Sequence, residues 1–189
     1  MQKFQLSGVA AAALTALSLF ATGSQAATQS VSFTHLVSSA TFANPFLTGD
    51  SLLIDTLVTT ETGALMQSVT FTLGAGVTSF TGGAVWQVTT AAGPGPRLTG
   101  VNIDIFNAAN AIVASDTFTG TLGGFAISSF DSAITPGVYR LVATGTGVRD
   151  SVMDISLSFV PEPESILLML AGLGAVGAAA ARRKASATV

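Results

Sequence analysis

The chain has 189 residues, no cysteine, 49% hydrophobic residues and only 9% charged ones, against roughly 25% charged in ordinary soluble domains. Lack of thiols excludes thiol catalysis, thiolate metal sites and a disulfide framework, so any folded part must hold by its apolar core. Between residues 27 and 160 three arginines (Arg97, Arg140, Arg149) stand against eight carboxylates with no lysine, a net charge of −5; a surface so poor in cations cannot neutralise a run of phosphates, which excludes nucleic acid as a partner.

Residues 4–21 are almost entirely apolar or small after Lys3, and Ser24-Gln25-Ala26 satisfies the small-x-small rule of a signal-peptidase site. Residues 1–26 therefore read as a secretory signal peptide, a short helix removed by signal peptidase between Ala26 and Ala27. The next 134 residues, 27–160, are enough for one domain with its own core.

That domain alternates with period two. Met153, Ile155, Leu157 and Phe159 interleave with Asp154, Ser156 and Ser158, which in a strand puts apolar side chains on one face and polar ones on the other. Similar runs occur at Val69, Phe71 and Leu73, at Val101, Ile103 and Ile105, and at Tyr139, Leu141 and Ala143. Turn signals punctuate them at Thr48-Gly49-Asp50, Gly74-Ala75-Gly76, Gly82-Gly83, Gly93-Pro94-Gly95-Pro96, Gly123-Gly124, Pro136-Gly137 and Gly145-Thr146-Gly147, and Asn107-Ala108-Ala109-Asn110 suggests a hairpin. The pattern predicts an all-β fold, an antiparallel β-sandwich of about 8–10 strands. Residues 36–50 fit neither a strand nor a helix template.

Candidate chemistry is sparse. His35, the only histidine, lies in Ser32-Phe33-Thr34-His35-Leu36, and alternation puts it on a first or edge strand, sharing a face with Phe33. A packed or partly exposed strand residue is favoured over a catalytic histidine, since no Gly-x-Ser-x-Gly elbow accompanies it. Asp104, Asp116, Asp131 and Asp150 could supply a carboxylate pair for glycoside hydrolysis or loop ligands for Ca²⁺; as turn and solvent-face residues they need neither role, and no EF-hand loop is present. Trp86 is read as core before sugar platform, and Tyr139 as the anchor of a sandwich corner. The many threonines suit solvent faces of strands, with O-glycosylation or hydroxyl contacts to polysaccharide as the other use. No catalytic residue, cofactor or metal is expected.

The C-terminus is the most specific part. Val160-Pro161-Glu162-Pro163-Glu164 is followed by sixteen uncharged, mostly apolar residues, 166–181, and then Arg182-Arg183-Lys184. As a helix that run is about 24 Å long, short of a roughly 30 Å hydrocarbon core, and Ser165 with the long arginine stems extends it, so 165–181 is predicted to span a membrane. With 27–160 exported, the basic stop 182–184 stays cytoplasmic, as the positive-inside rule requires. Gly172-Leu173-Gly174-Ala175-Val176-Gly177 satisfies a dinucleotide fingerprint, but it lies within the apolar run with no strand before it and no acid about 20 residues on.

Stem, apolar helix and basic stop in this order resemble the PEP-CTERM sorting signal of Gram-negative bacteria that make exopolysaccharide. The resemblance implies an organisation of signal peptide (1–26), exported domain (27–160) and sorting signal (161–185). It also implies recognition by an exosortase that processes the tail near Pro161-Glu162-Pro163, after transient anchoring in the inner membrane. The exported part resembles the FxDxF subgroup of these proteins, with Asp55 between Leu53 and Leu57 where that subgroup has Phe, and more distantly pre-peptidase C-terminal β-sandwiches. The expected destination is the cell surface or extracellular matrix, in a non-catalytic structural or adhesive role with extracellular polysaccharide. The rival expectations are a secreted hydrolase using a carboxylate pair and a calcium-stabilised binding module.

Overall fold

The computed structural model describes residues 26–88, 97–148 and 150–161. Residues 1–25, which hold most of the expected signal peptide (1–26), the expected turn at 93–96 and the tail beyond Pro161 lie outside them. The described residues form eleven strands: β1 (Thr28–Phe33), β2 (Val37–Thr41), β3 (Ser51–Val58), β4 (Gly63–Leu73), β5 (Val77–Gln87), β6 (Leu98–Asn107), β7 (Ile112–Ser115), β8 (Thr117–Leu122), β9 (Phe125–Ala133), β10 (Gly137–Gly147) and β11 (Ser151–Pro161). Two sheets face one another, ordered β1-β3-β11-β5-β9-β8 and β2-β4-β10-β6-β7.

Both sheets are mixed, which corrects the expectation of a purely antiparallel sandwich: β1 runs parallel to β3, and β2 parallel to β4. The reason is a repeated arch. The chain climbs one sheet as β1, bends at residues 34–36 and descends the other as β2; it returns beneath the core through residues 42–50 and lays the same arch again as β3, residues 59–62 and β4. Two stacked copies of one arch run in the same direction, so both pairings are parallel.

The arch tips are clipped together. Glu61 Oε1 pairs with His35 Nδ1, and Glu61 Oε2 accepts the Leu36 N–H at 2.8 Å. Below this clip Gln67 Nε2 donates to the His35 carbonyl at 3.0 Å, while its Oε1 accepts the buried Thr56 hydroxyl at 2.8 Å, joining the sheets through satisfied polar groups. His35 is therefore an exposed bend residue, not a strand residue sharing a face with Phe33, because β1 stops at Phe33 to make the arch.

Alternation describes the core well. Met153, Ile155, Leu157 and Phe159 are all at most 2% exposed, as are Val69, Phe71 and Leu73. The Asn107–Asn110 hairpin, the turns at Gly74–Gly76 and Gly123–Gly124, and the burial of Trp86 also match expectation. Gly82-Gly83, expected as a turn, instead lies inside β5, and Gly145–Gly147 ends β10. Gly82 is glycine for space: a Cβ there would stand 2.3 Å from Phe130 Cε2 and 2.5 Å from the Ser156 carbonyl oxygen. Phe130 lies opposite Gly82 in the ladder, so a ring fills what the glycine leaves open.

Tyr139 anchors a corner, as expected. Its hydroxyl donates to the Thr135 carbonyl at 2.7 Å and accepts the Thr135 N–H at 3.3 Å, pinning the connection from β9 to β10. Tyr139→Phe keeps the ring in the core and deletes both bonds, so urea unfolding should show a loss of about 1 kcal/mol.

The clip carries a pH signature. The hydrogen bond from His35, then that from Leu36, holds the Glu61 carboxyl below its ordinary 4.5. As pH falls the unfolded chain therefore takes up this proton first, so the contribution is complete above pH 4.5 and lost as pH drops through the lower folded-state value. Unfolding midpoints of wild type and Glu61→Gln should differ at pH 7 and converge as pH falls through the lowered Glu61 value.

Candidate functional site

Strand directions put both ends of the domain at one pole. β3 rises from Ser51, and its neighbours are Thr28 of β1 on one side and Ser158 of β11 on the other. The start of β1 and the end of β11 are thus two strand spacings apart, about 10 Å. The Ala26–Ala27 bond and the sorting stem leave the fold side by side.

The pole is closed by segment 42–50. Phe46 is fully buried and packs against Phe71 and Phe159 with ring centroids 6.0 and 4.9 Å away. Its N–H donates to the Thr72 carbonyl and its carbonyl accepts the Gly74 N–H, both at 2.8 Å. Phe159 sits in the same cluster, and its backbone is held by Gly49 N–H on its carbonyl (2.8 Å) and by its own N–H on the Asp50 carbonyl (3.0 Å). Val160 pairs with Ser79, and after a register shift Pro161 lies opposite Val77. Proline has no N–H with which to extend the ladder. Of the expected sorting residues, Val160 and Pro161 belong to β11; Glu162, Pro163, Glu164, Arg182, Arg183 and Lys184 lie outside the described residues.

Asp50 organises the other exit. Its carboxylate is buried, 4% exposed, with Oδ1 accepting the Ala27 N–H and Oδ2 the Leu47 N–H, each at 2.7 Å. The Ser51 N–H in turn donates to the Ala27 carbonyl at 2.8 Å. Asp50 stood out in the sequence only as part of a turn signal, because a capping aspartate and a site aspartate look alike there.

The four aspartates singled out as candidate acids are dispersed. Asp104 takes hydrogen bonds from Asn102 and Ser115. Asp116 sits where the chain passes from β7 to β8 and accepts the Ile103 N–H at 2.8 Å. Asp150 pairs with Arg97 at 3.1 Å, and Asp131 is exposed on β9. Among the described residues no group of three potential metal ligands forms.

The structure does pair two other carboxylates. Asp55 and Asp154 are direct cross-strand partners on the outer face of the six-stranded sheet. Loss of water around Asp154, then the charge of Asp55, pushes the Asp154 carboxyl above its usual value of 3.8. They border a shallow hollow of about 200 Å³ lined by Leu53, Gly83, Val85, Ile127 and Ser156. Like charges directly opposite destabilise a sheet, and aspartate is depleted in strand interiors. Two mid-strand aspartates were thus the available signal, but only the register shows that they meet.

Trp86 offers no sugar platform, since it is 5% exposed and packed in the core. The outer face of the five-stranded sheet mixes polar and apolar side chains: Thr70, Arg140 and Phe106 form one cross-strand row, and Thr144, Asn102 and exposed Met66 form another. The Arg140 guanidinium rests 5.1 Å over the Phe106 ring and donates to Asn110 Oδ1 at 3.1 Å.

Among curated proteins none matches the chain. Among solved structures, the pre-peptidase C-terminal domain of collagenase from Bacillus anthracis is similar at 10% identity and a TM-score of 0.35, covering 70% of this chain and 96% of that one. So low a score does not carry the fold, which rests on the strand order given above. Residues 159–184 match the PEP-CTERM protein-sorting motif, beginning at buried Phe159 and running through stem, apolar segment and basic stop. The chain thus carries a PEP-CTERM sorting motif, and that motif marks it as an exported bacterial protein sorted by an exosortase.

Proposed function

We propose that this chain is a surface or matrix protein whose β domain is delivered by its two ends and acts without catalysis, as a structural or adhesive element in extracellular polysaccharide. Signal peptidase frees Ala27, residues 165–181 hold the precursor in the inner membrane with Arg182, Arg183 and Lys184 in the cytoplasm, and exosortase acts at the stem. The observation that carries this reading is the common pole: Thr28 and Ser158, next to the two exits, flank Ser51 about 10 Å apart, so a precursor held at both ends presents the domain on one side of the bilayer. Only Glu162, Pro163, Glu164 and Ser165 separate β11 from the apolar run, a tether of about 13 Å when extended. The enzyme therefore meets the stem against the closed pole of a folded domain.

The outer face with Thr70, Arg140, Thr144 and Asn102 supports the adhesive role, because hydroxyl, amide and guanidinium groups beside Phe106 and Met66 suit the mixed polar and apolar faces of a polyhydroxylated chain. A second reading, a hydrolase, rests on Asp55 and Asp154, direct cross-strand neighbours of which Asp154 holds its proton more tightly than an ordinary carboxyl. The hollow they border is shallow and apolar, with little to orient a sugar ring, and this favours the adhesive reading.

Replacing Pro161, Glu162 and Pro163 together by alanine should leave the precursor at full length in the membrane fraction, read by intact mass; normal maturation of that variant refutes the sorting role. Incubated with matrix polysaccharide, the matured protein should co-sediment with polymer of unchanged length, and Arg140→Ala should weaken retention several-fold. Shortening of the polymer that disappears in Asp154→Asn would establish the hydrolase instead.

A further inference from the structure

We propose that removal of the signal peptide turns the Ala27–Asp50 hydrogen bond into an ion pair, formed only in the mature chain, that locks the pole from which the sorting stem leaves. The inference rests on cleavage between Ala26 and Ala27, as expected from Ser24-Gln25-Ala26. Hydrolysis of that bond adds water's hydroxyl to the Ala26 carbonyl carbon and leaves the electron pair on the Ala27 nitrogen. That nitrogen takes one proton from the water and a second from solvent, becoming an ammonium group.

The receptor for this charge is already built. The Ala27 nitrogen lies 2.7 Å from Asp50 Oδ1, and Asp50 is 4% exposed. In the uncleaved chain both carboxylate oxygens are held by neutral backbone N–H groups, those of Ala27 and Leu47. Among the described residues the ion pairs are His35–Glu61 and Arg97–Asp150, and neither reaches this pole. Residues 26–29, 43–51, 74–77 and 159–161, which close the pole, include no other charged side chain; Glu162 and Glu164 follow beyond the described residues.

A carboxylate this buried with no cation is a costly arrangement, and a charge-assisted bond is roughly twice as strong as a neutral one. The ladder keeps the new ammonium in place: the Ala27 carbonyl accepts the Ser51 N–H, and Thr28 starts the pairing with β3. Asp50 passes the effect on, because its own carbonyl accepts the Phe159 N–H and the adjacent Gly49 N–H holds the Phe159 carbonyl. N-terminal maturation thus tightens the last strand just before the stem that exosortase must engage.

The test is the reactivity of the Ala27 amine in the full chain matured by signal peptidase, purified in detergent and treated with acetic anhydride at pH 7. Only the free base attacks the reagent, and a carboxylate partner lowers the free-base fraction. Acetylation of the N-terminal peptide, followed by mass spectrometry, should be about tenfold slower in wild type than in Asp50→Asn, with the pH midpoint about one unit higher. A chain with one alanine inserted after Ala26 keeps Asp50, moves the amine away and should react at the fast rate, which covers the case of a misfolded Asp50→Asn. Equal rates in a chain that starts at Ala27 overturn the ion pair and leave the cleavage reading intact; an N-terminus elsewhere overturns both.

Discussion

The structure depends on one placement: the last strand is a central one. β11 lies between β3 and β5 in the six-stranded sheet and pairs with both over most of its length. Its apolar residues are among the most buried in the protein, ending at Phe159 in the ring cluster with Phe46 and Phe71. The core therefore cannot close until residue 159 is in place. Since the sorting motif starts at that same residue, fold and address share a segment.

The edges are handled by the chain path more than by charge. β1 passes into β2, and β7 into β8, each strand pair switching from one sheet to the other at opposite sides of the sandwich. Such corners leave short edge strands of four to six residues, which limits the unpaired backbone open to another chain. A domain with three arginines and no lysine over residues 27–160 has few charged side chains with which to protect long edges, and the arches make that economy workable.

The same scarcity shapes the chemistry. Several described carboxylates have structural employment: Asp50 holds two backbone N–H groups, Glu61 clips two arches, Asp116 caps a sheet-switching corner and Asp150 pairs with Arg97. Asp55 and Asp154 differ, held against each other by register without a compensating cation at hydrogen-bonding distance among the described residues. Their repulsion is moderated by solvent, as both stand on the exposed face.

Period-two alternation in Met153–Phe159, Val69–Leu73 and Tyr139–Ala143 by itself determined the all-β class and most of the core, because which face of a strand is buried is a local property. The tail was equally legible, since proline, an apolar run and terminal arginines act through composition and order. Alternation is the same whether a neighbouring strand runs parallel or antiparallel, so the stacked arches, the glycines inside β5 and β10 and the place of His35 in a bend were not readable from it. Nor were the meetings of Asp55 with Asp154 and of Asp50 with Ala27, which join residues 99 and 23 positions apart. Only tertiary pairing decided those, because register between distant strands is set by how the whole core packs and not by any one segment's pattern.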